Sequence, residues 1–275
     1  MGTALALASL FLSTAWGPGV LAQQTPNPPQ LQQRQDAPQS TPANVPAAPP
    51  EEQPLSEYQQ SQMRAWANDF AGLARYRAAN AVLRPPSAGV DRVVFFGDSI
   101  TDGWNLDQSF PGRAYINRGI SGQTTSQMLL RFRQDVIALQ PKVVVVLAGT
   151  NDIAGNTGPI SLKDIEANLM SIAELARAHN ISVIFSSIMP VNNYVPASIR
   201  FFNQRPQTEI IDLNAWLRDY CASNGHWYLN YYNAMLDENG MLRRDISNDG
   251  LHPNDAGYKI MAPLAQAMIE RAIAR

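Results

Sequence analysis

From Asp91 to the C-terminus, short uninterrupted apolar runs alternate with stretches of helical periodicity, and this alternation leaves few folds open. A strand with one solvated face alternates apolar and polar residues. Arg92–Phe96, Lys142–Ala148 and Ile181–Ile188 do not, so they read as strands buried on both faces. Weaker strands are expected at Ala114–Asn117 and Trp227–Tyr231. Helices are predicted over Thr124–Leu139 (through Met128, Leu129, Phe132 and Val136), Ser161–His179 (capped by Ser161, with Asp164 three residues on), Gln207–Ser223 and Pro253–Ala274, the last with Pro253 in its first turn. The pattern implies an α/β fold with a parallel sheet covered on both sides. No internal repeat is found.

The chain of 275 residues has room for one domain and extra segments. With 16% charged residues, a net charge of -2 and no basic stripe, nucleic acid is not an expected partner. The sole cysteine, Cys221, excludes an internal disulfide. It lies on the apolar side of a predicted helix with Ile210, Leu213, Leu217 and Tyr220, and reads as a buried hydrophobe. No Cys-His cluster has zinc spacing, so no metal and no cofactor is expected.

Residues 1–22 resemble a secretory signal: Ala4 to Trp16 is apolar, Gly17-Pro18 breaks it, and Val20-Leu21-Ala22 offers a cleavage site. No Lys or Arg precedes the apolar run, which departs from the usual pattern. Gln23 and Gln24 stand where a lipid-anchored protein would carry cysteine. A soluble exported protein, secreted or periplasmic and without stable membrane insertion, is expected. Residues 23–55, with nine prolines between Pro26 and Pro54, read as an extended, disordered tether. The domain is set at 56–275. It opens with a helix over 56–83, capped by Ser56 with Gln59, ended by Pro85-Pro86, and carrying a Met63, Trp66, Phe70, Leu73 stripe expected to pack as core.

Four motifs follow in order: Gly97-Asp98-Ser99-Ile100, Gly119-Ile120-Ser121-Gly122, Gly149-Thr150-Asn151-Asp152 and Asp249-Gly250-Leu251-His252. The first three follow predicted strands, and the last lies in the loop before the final helix. In an open parallel sheet those positions share one rim, where ligands bind. Ser99 can act as nucleophile, His252 as its base, and Asp249 can orient that ring. Gly122 and Asn151 can donate hydrogen bonds to an oxyanion, with the Ser99 N–H as a third donor. Asp98 and Asp152 read as helix caps rather than an acid–base pair, and His179 and His226 as surface and structural residues. No phosphate-binding loop is present, nor is a Gly-x-Ser-x-Gly elbow.

These four blocks resemble the GDSL-type esterases, or SGNH hydrolases, from about Arg92 onward. Ile100 stands where the family name has Leu, and the second block reads Asn117-Arg118-Gly119-Ile120-Ser121-Gly122, which puts the family's oxyanion glycine on Gly122. The segment Gly97 to Gly122 resembles the acetylhydrolase-like branch. The resemblance implies a three-layer, flavodoxin-like α/β/α sandwich. Its activities include carbohydrate acetylesterase, lipase, lysophospholipase, thioesterase and arylesterase. Trp104, Asn192 and Tyr194 are read as substrate contacts, because aromatics beside amides suit sugar rings. A short acyl ester, with carbohydrate as the favoured carrier, is the expected substrate. A lysophospholipid remains open, as does a non-catalytic binding module on a tether. The residues do not specify an oligomeric state.

Overall fold

The computed structural model describes residues 57–275. The expected leader, the tether and the Ser56 cap lie outside the described residues. The chain enters through α1 (Glu57–Asp69) and α2 (Arg77–Val82). Next come β1 (Val93–Gly97), the short helices α3 (Ser99–Asp102) and α4 (Leu106–Ser109), β2 (Tyr115–Gly119) and α5 (Thr125–Asp135). They are followed by β3 (Val143–Leu147), α6 (Thr150–Ile153), α7 (Leu162–Ala178), β4 (Ser182–Ser186) and α8 (Ile199–Asn203). Then α9 (Gln207–Asn224), β5 (Trp227–Leu229), α10 (Tyr231–Met235) and α11 (Asp255–Ala274) complete the chain.

All four strand pairings are parallel, in the order β2-β1-β3-β4-β5. Successive side chains of a strand point to opposite faces, so an unbroken apolar strand must be covered twice. Val94, Phe96, Val144 and Val146 bury against α5, α7 and α9, through residues such as Phe132, Leu169 and Leu213. Val93, Phe95, Val143 and Val145 bury on the other face against α11 and the short helices, through Met261, Ile269, Leu106 and Met235. The result is the three-layer α/β/α sandwich.

From β1 the chain crosses outward to β2 and then returns to β3 on the other side, which opens a crevice at the carboxyl ends of β1 and β3. Gly97 closes β1 there. The constraint on it is close approach: a Cβ at this position would lie 2.7 Å from the Leu147 carbonyl oxygen and collide with the Thr101 side chain.

Several element boundaries differ from the sequence expectation. The single helix over 56–83 is broken after Asp69, whose carboxylate accepts the Leu73 and Ala74 N–H groups at 2.8 Å each and so caps an irregular turn. Met63 and Phe70 of the expected core stripe are 53% and 41% exposed. The helix expected to run to Leu139 ends at Asp135, and a separate 3-10 turn covers Ile137–Leu139. Tyr231 opens α10 rather than closing β5. Asn254 caps α11 by accepting the Ala256 and Gly257 N–H groups, so Pro253 precedes the helix instead of sitting in its first turn.

Candidate active site

Each motif sits where the sheet ends. Ser99 is the first residue of α3, two positions past β1, and Asp98 caps that helix by accepting the Ile100 N–H at 3.0 Å. Asn151 lies in α6 just past β3, and Gly122 lies in the turn between β2 and α5. Although 153 positions separate them, Ser99 Oγ and His252 Nε2 are 2.9 Å apart. His252 Nδ1 and Asp249 Oδ2 are 2.7 Å apart. With the Nδ1 proton directed to the carboxylate, Nε2 is left to accept the Ser99 O–H.

The Asp249 carboxylate is shaped by opposing effects. Burial pushes its pKa up, but hydrogen bonds from the His252 ring and from the His252 and Leu251 N–H groups outweigh this and hold it below the usual carboxylate range. The Phe201 ring meets His252 edge-on, with centroids 5.9 Å apart.

Gly122 has φ +80, a left-handed conformation that favours glycine, and its carbonyl is tied down by the Asn156 side chain at 3.0 Å. Asn151 is 3% exposed. One of its two amide protons goes to the Gln123 carbonyl at 3.1 Å, leaving the other available. This arrangement can receive an oxygen that gains negative charge beside Ser99.

The neighbouring acids are structural. Asp152 accepts the Thr125 N–H at 3.0 Å and the Thr125 hydroxyl at 2.5 Å, and so caps α5 from α6. Burial raises the Asp98 pKa to about 6. Its Oδ2 is one of two buried side-chain polar atoms without a partner among the described residues. His179 ends α7 and is exposed. His226 stacks on Tyr220 at 5.7 Å, and burial lowers its pKa. Cys221 is buried, and its thiol pKa is pushed up to about 12.

Two of the expected substrate contacts are corrected. Trp104 is 4% exposed: it stacks on Tyr258 at 5.3 Å, meets Phe95 edge-on at 5.4 Å, and donates its Nε1–H to Ser109 Oγ. An indole so enclosed has no free face for a ligand. Asn192 is also buried. Its amide donates to the Leu242 carbonyl at 2.9 Å and accepts the Tyr194 N–H at 3.2 Å, so it shapes the loop instead of meeting solvent. Tyr194 is half-buried and donates to Asp237. It lines a groove of about 460 Å³ with Asp237, Glu238, Asn239 and Arg243, and none of the Ser99, Asp249 or His252 side chains lines it.

Two arginines escaped sequence reasoning. Arg131 is fully buried. It bridges Gln123, the carbonyls of Arg118 and Gly97, and Asp135, and so ties α5 to the ends of β1 and β2. A charged residue three positions past Met128 and next to Phe132, on an apolar helix face, was the available signal. Arg205 follows α8 and reaches Thr150 and Asn151. Nothing local in the sequence marks it.

The segment before β1 also reaches the second motif. Tyr76 donates to the Gly119 carbonyl, and the Gln123 side chain donates to the Ala71 carbonyl at 2.7 Å. Among the described residues, no group of three or more His, Cys, Asp or Glu could hold a metal ion, and no helix is long and apolar enough to cross a membrane.

The GDSL-like lipase/acylhydrolase family profile matches residues 95–260. A crystal structure of a GDSL-like lipase from Bacteroides thetaiotaomicron is similar with 43% identity and a TM-score of 0.68, covering 74% of this chain and 99% of that one. Esterase TesA of Pseudomonas aeruginosa is 30% identical over 137 residues, which are 45% of this chain and 67% of that protein. An uncharacterized lipoprotein of Bacillus subtilis, YqeF, is 34% identical over 122 residues, 38% of this chain. The match spans only half of that relative's length.

Proposed function

Because the chain belongs to the GDSL-like lipase/acylhydrolase family, whose members are serine ester hydrolases, we propose that it is an exported esterase releasing short acyl groups by a Ser99–His252–Asp249 relay. The observation that carries this reading is the pair of consecutive contacts, 2.9 Å from Ser99 to His252 and 2.7 Å from His252 to Asp249. Ser99 Oγ attacks the ester carbonyl carbon while His252 Nε2 takes its proton, since a neutral hydroxyl is a weak nucleophile without an adjacent base. The carbonyl oxygen becomes an anion held by the Ser99 and Gly122 N–H groups and the Asn151 amide. His252 returns its proton to the leaving alkoxide, and an acyl-Ser99 ester remains. Water then attacks this ester, losing a proton to His252, and as the second tetrahedral adduct collapses His252 gives that proton to the departing Ser99 Oγ, which frees the acid and restores the serine. Throughout, Asp249 stays ionised and stabilises the imidazolium.

The acyl group is read as short, in keeping with the likeness of Gly97–Gly122 to acetylhydrolases. A carbohydrate leaving group draws its remaining support from Tyr194 and its polar groove, since Trp104 and Asn192 are occupied elsewhere. Export rests on the character of residues 1–22. The tether is assigned to 23–55 and the hydrolase domain to 56–275.

A fluorophosphonate probe should label the wild-type protein and leave Ser99→Ala unlabelled. Turnover of p-nitrophenyl acetate should fall by at least about 10³-fold in Ser99→Ala. Equal turnover by the two proteins would end the proposal. Acetyl, butyryl and octanoyl esters, acetylated xylan and a lysophospholipid, compared by kcat/KM, identify the substrate class.

A further inference from the structure

Arg205 is 3% exposed, and among the described residues no carboxylate forms an ion pair with it. A buried guanidinium with no carboxylate in direct contact is costly even though Asp98 and Asp249 act on it through space, and it persists only where its N–H groups are well used. Here all three nitrogens donate: Nε to Thr150 Oγ1 at 2.9 Å, Nη2 to Asn151 Oδ1 at 3.2 Å and Nη1 to the Phe201 carbonyl at 3.3 Å. Burial brings its pKa down to about 10, so it remains a cation at neutral pH.

An asparagine amide can present either its oxygen or its nitrogen to a ligand, because the two ends have nearly the same shape. The Gln123 carbonyl holds Asn151 Nδ2 through one proton only, so with that partner alone the amide can tilt about the bond and swing its second proton away from the site. We infer that Arg205 is a positioning residue for the oxyanion site: by donating to Asn151 Oδ1 it fixes which face of the amide meets the substrate and holds a positive charge behind that donor. A donor whose own acceptor end is engaged by a cation is polarised and becomes a stronger donor. The same side chain reaches the other half of the site. Its guanidinium carbon lies 5.6 Å from the centre of the Phe201 ring, and that ring meets His252 edge-on.

The inference rests on the reading of Asn151 as an oxyanion donor, and the test separates the two. Arg205→Met, Arg205→Lys, Asn151→Ala and the Arg205→Met/Asn151→Ala double variant are compared on p-nitrophenyl acetate, with thermal melting recorded for each. Lysine keeps the buried charge but replaces the planar fork, which gives Thr150 and Asn151 separate nitrogens, with a single donor nitrogen, so it carries the test if the methionine variant does not fold. Arg205→Met is expected to lower kcat by about 10- to 100-fold, with KM changed less than about twofold. Arg205→Lys should lose at least about fivefold. In the Asn151→Ala background, removing Arg205 should cost less than about twofold, because its effect passes through that amide. A kcat within twofold of wild type in a folded Arg205 variant overturns the role, as does an undiminished Arg205 effect in the Asn151→Ala background. If those results come with a large loss in Asn151→Ala, the esterase reading still stands. Full activity in Asn151→Ala overturns the reading of Asn151 as an oxyanion donor and the Arg205 role with it.

Discussion

Asp249 holds His252 by two separate oxygens: Oδ2 meets the ring Nδ1 at 2.7 Å, and Oδ1 accepts the same residue's backbone N–H at 2.8 Å. The three-residue spacing lets one carboxylate set both the path of the chain and the tilt of the imidazole. It also selects the tautomer, because an acceptor at Nδ1 keeps the proton there and leaves Nε2 free for Ser99.

Asp249→Asn separates these functions. The Asn oxygen can still accept the backbone N–H, so the loop should persist. If the amide nitrogen faces the ring, it donates to Nδ1 and drives the proton to Nε2, the wrong tautomer. A loss of up to about 10⁴-fold in kcat is expected, with the melting temperature close to wild type. Retention of more than about a tenth of the activity would remove Asp249 from the relay.

Asp98 sits beside the nucleophile yet caps a helix, and its burial leaves a signature in stability. Its pKa is raised from 3.8 in the unfolded chain to about 6 in the folded protein. The folded state therefore binds the proton more tightly, and the stability this gives is complete below the unfolded value. It is lost as pH climbs from about 4 to about 6. The span corresponds to about 3 kcal/mol at most. Asp98→Asn keeps an oxygen for the Ile100 N–H and removes the titration. Urea unfolding at pH 4 and pH 7 should therefore show a smaller decline across that interval in the variant than in wild type. Equal declines would show that Asp98 does not titrate there.

Trp104 distinguishes an expectation drawn from composition from the packing that replaces it. A ring that contacted substrate would change KM when altered. A ring stacked on Tyr258 and hydrogen-bonded to Ser109 should change stability instead. Trp104→Phe loses the Nε1–H bond and part of the buried surface, so a cost of about 1–3 kcal/mol is expected by denaturant unfolding, with KM for short esters within twofold. An increase of fivefold or more in KM at unchanged stability would return Trp104 to the binding surface.

What could be read in the sequence was whatever repeats locally. The Val143–Leu147 run, the capping pair Ser161 and Asp164, and the Asp249–His252 spacing all act within a few residues, so their physics is visible in the order of residue types. The convergence of Ser99 and Asn151 followed from topology, because parallel strands deliver their carboxyl ends to one rim. Pairings across long separations were not visible. Nothing near Arg205 shows that its partners are Thr150 and Asn151, more than fifty positions earlier. Aromatic and amide residues near a motif misled for the same reason. Trp104 and Asn192 have local composition suited to a ligand, but their partners, Tyr258 and Leu242, come from distant parts of the chain.

The segment before β1 lies outside the residues matched by the family, yet Asn80 ties it to β2 and α5. Its Oδ1 accepts both Nε and Nη2 of Arg118 at 2.9 and 2.7 Å, and its amide donates to Asp135 at 2.7 Å and to the Gln134 carbonyl at 3.1 Å. Arg118 lies on β2 next to Gly119 and is 5% exposed. Asn80→Ala would leave that guanidinium without the acceptor that offsets its burial, a change expected to cost about 3 kcal/mol. Asn80→Asp restores an acceptor and should recover most of the loss on the Arg118 side, while setting a second carboxylate against Asp135. Chemical denaturation of the three proteins gives the comparison. If Asn80→Ala unfolds at the wild-type denaturant concentration, Asn80 does not anchor the segment, and its hold on the domain rests on contacts such as Tyr76 to Gly119 and Gln123 to Ala71. If it loses the expected amount, any shortened form that starts at β1 removes both this acceptor and the Tyr76 contact to Gly119, and should melt well below the full chain.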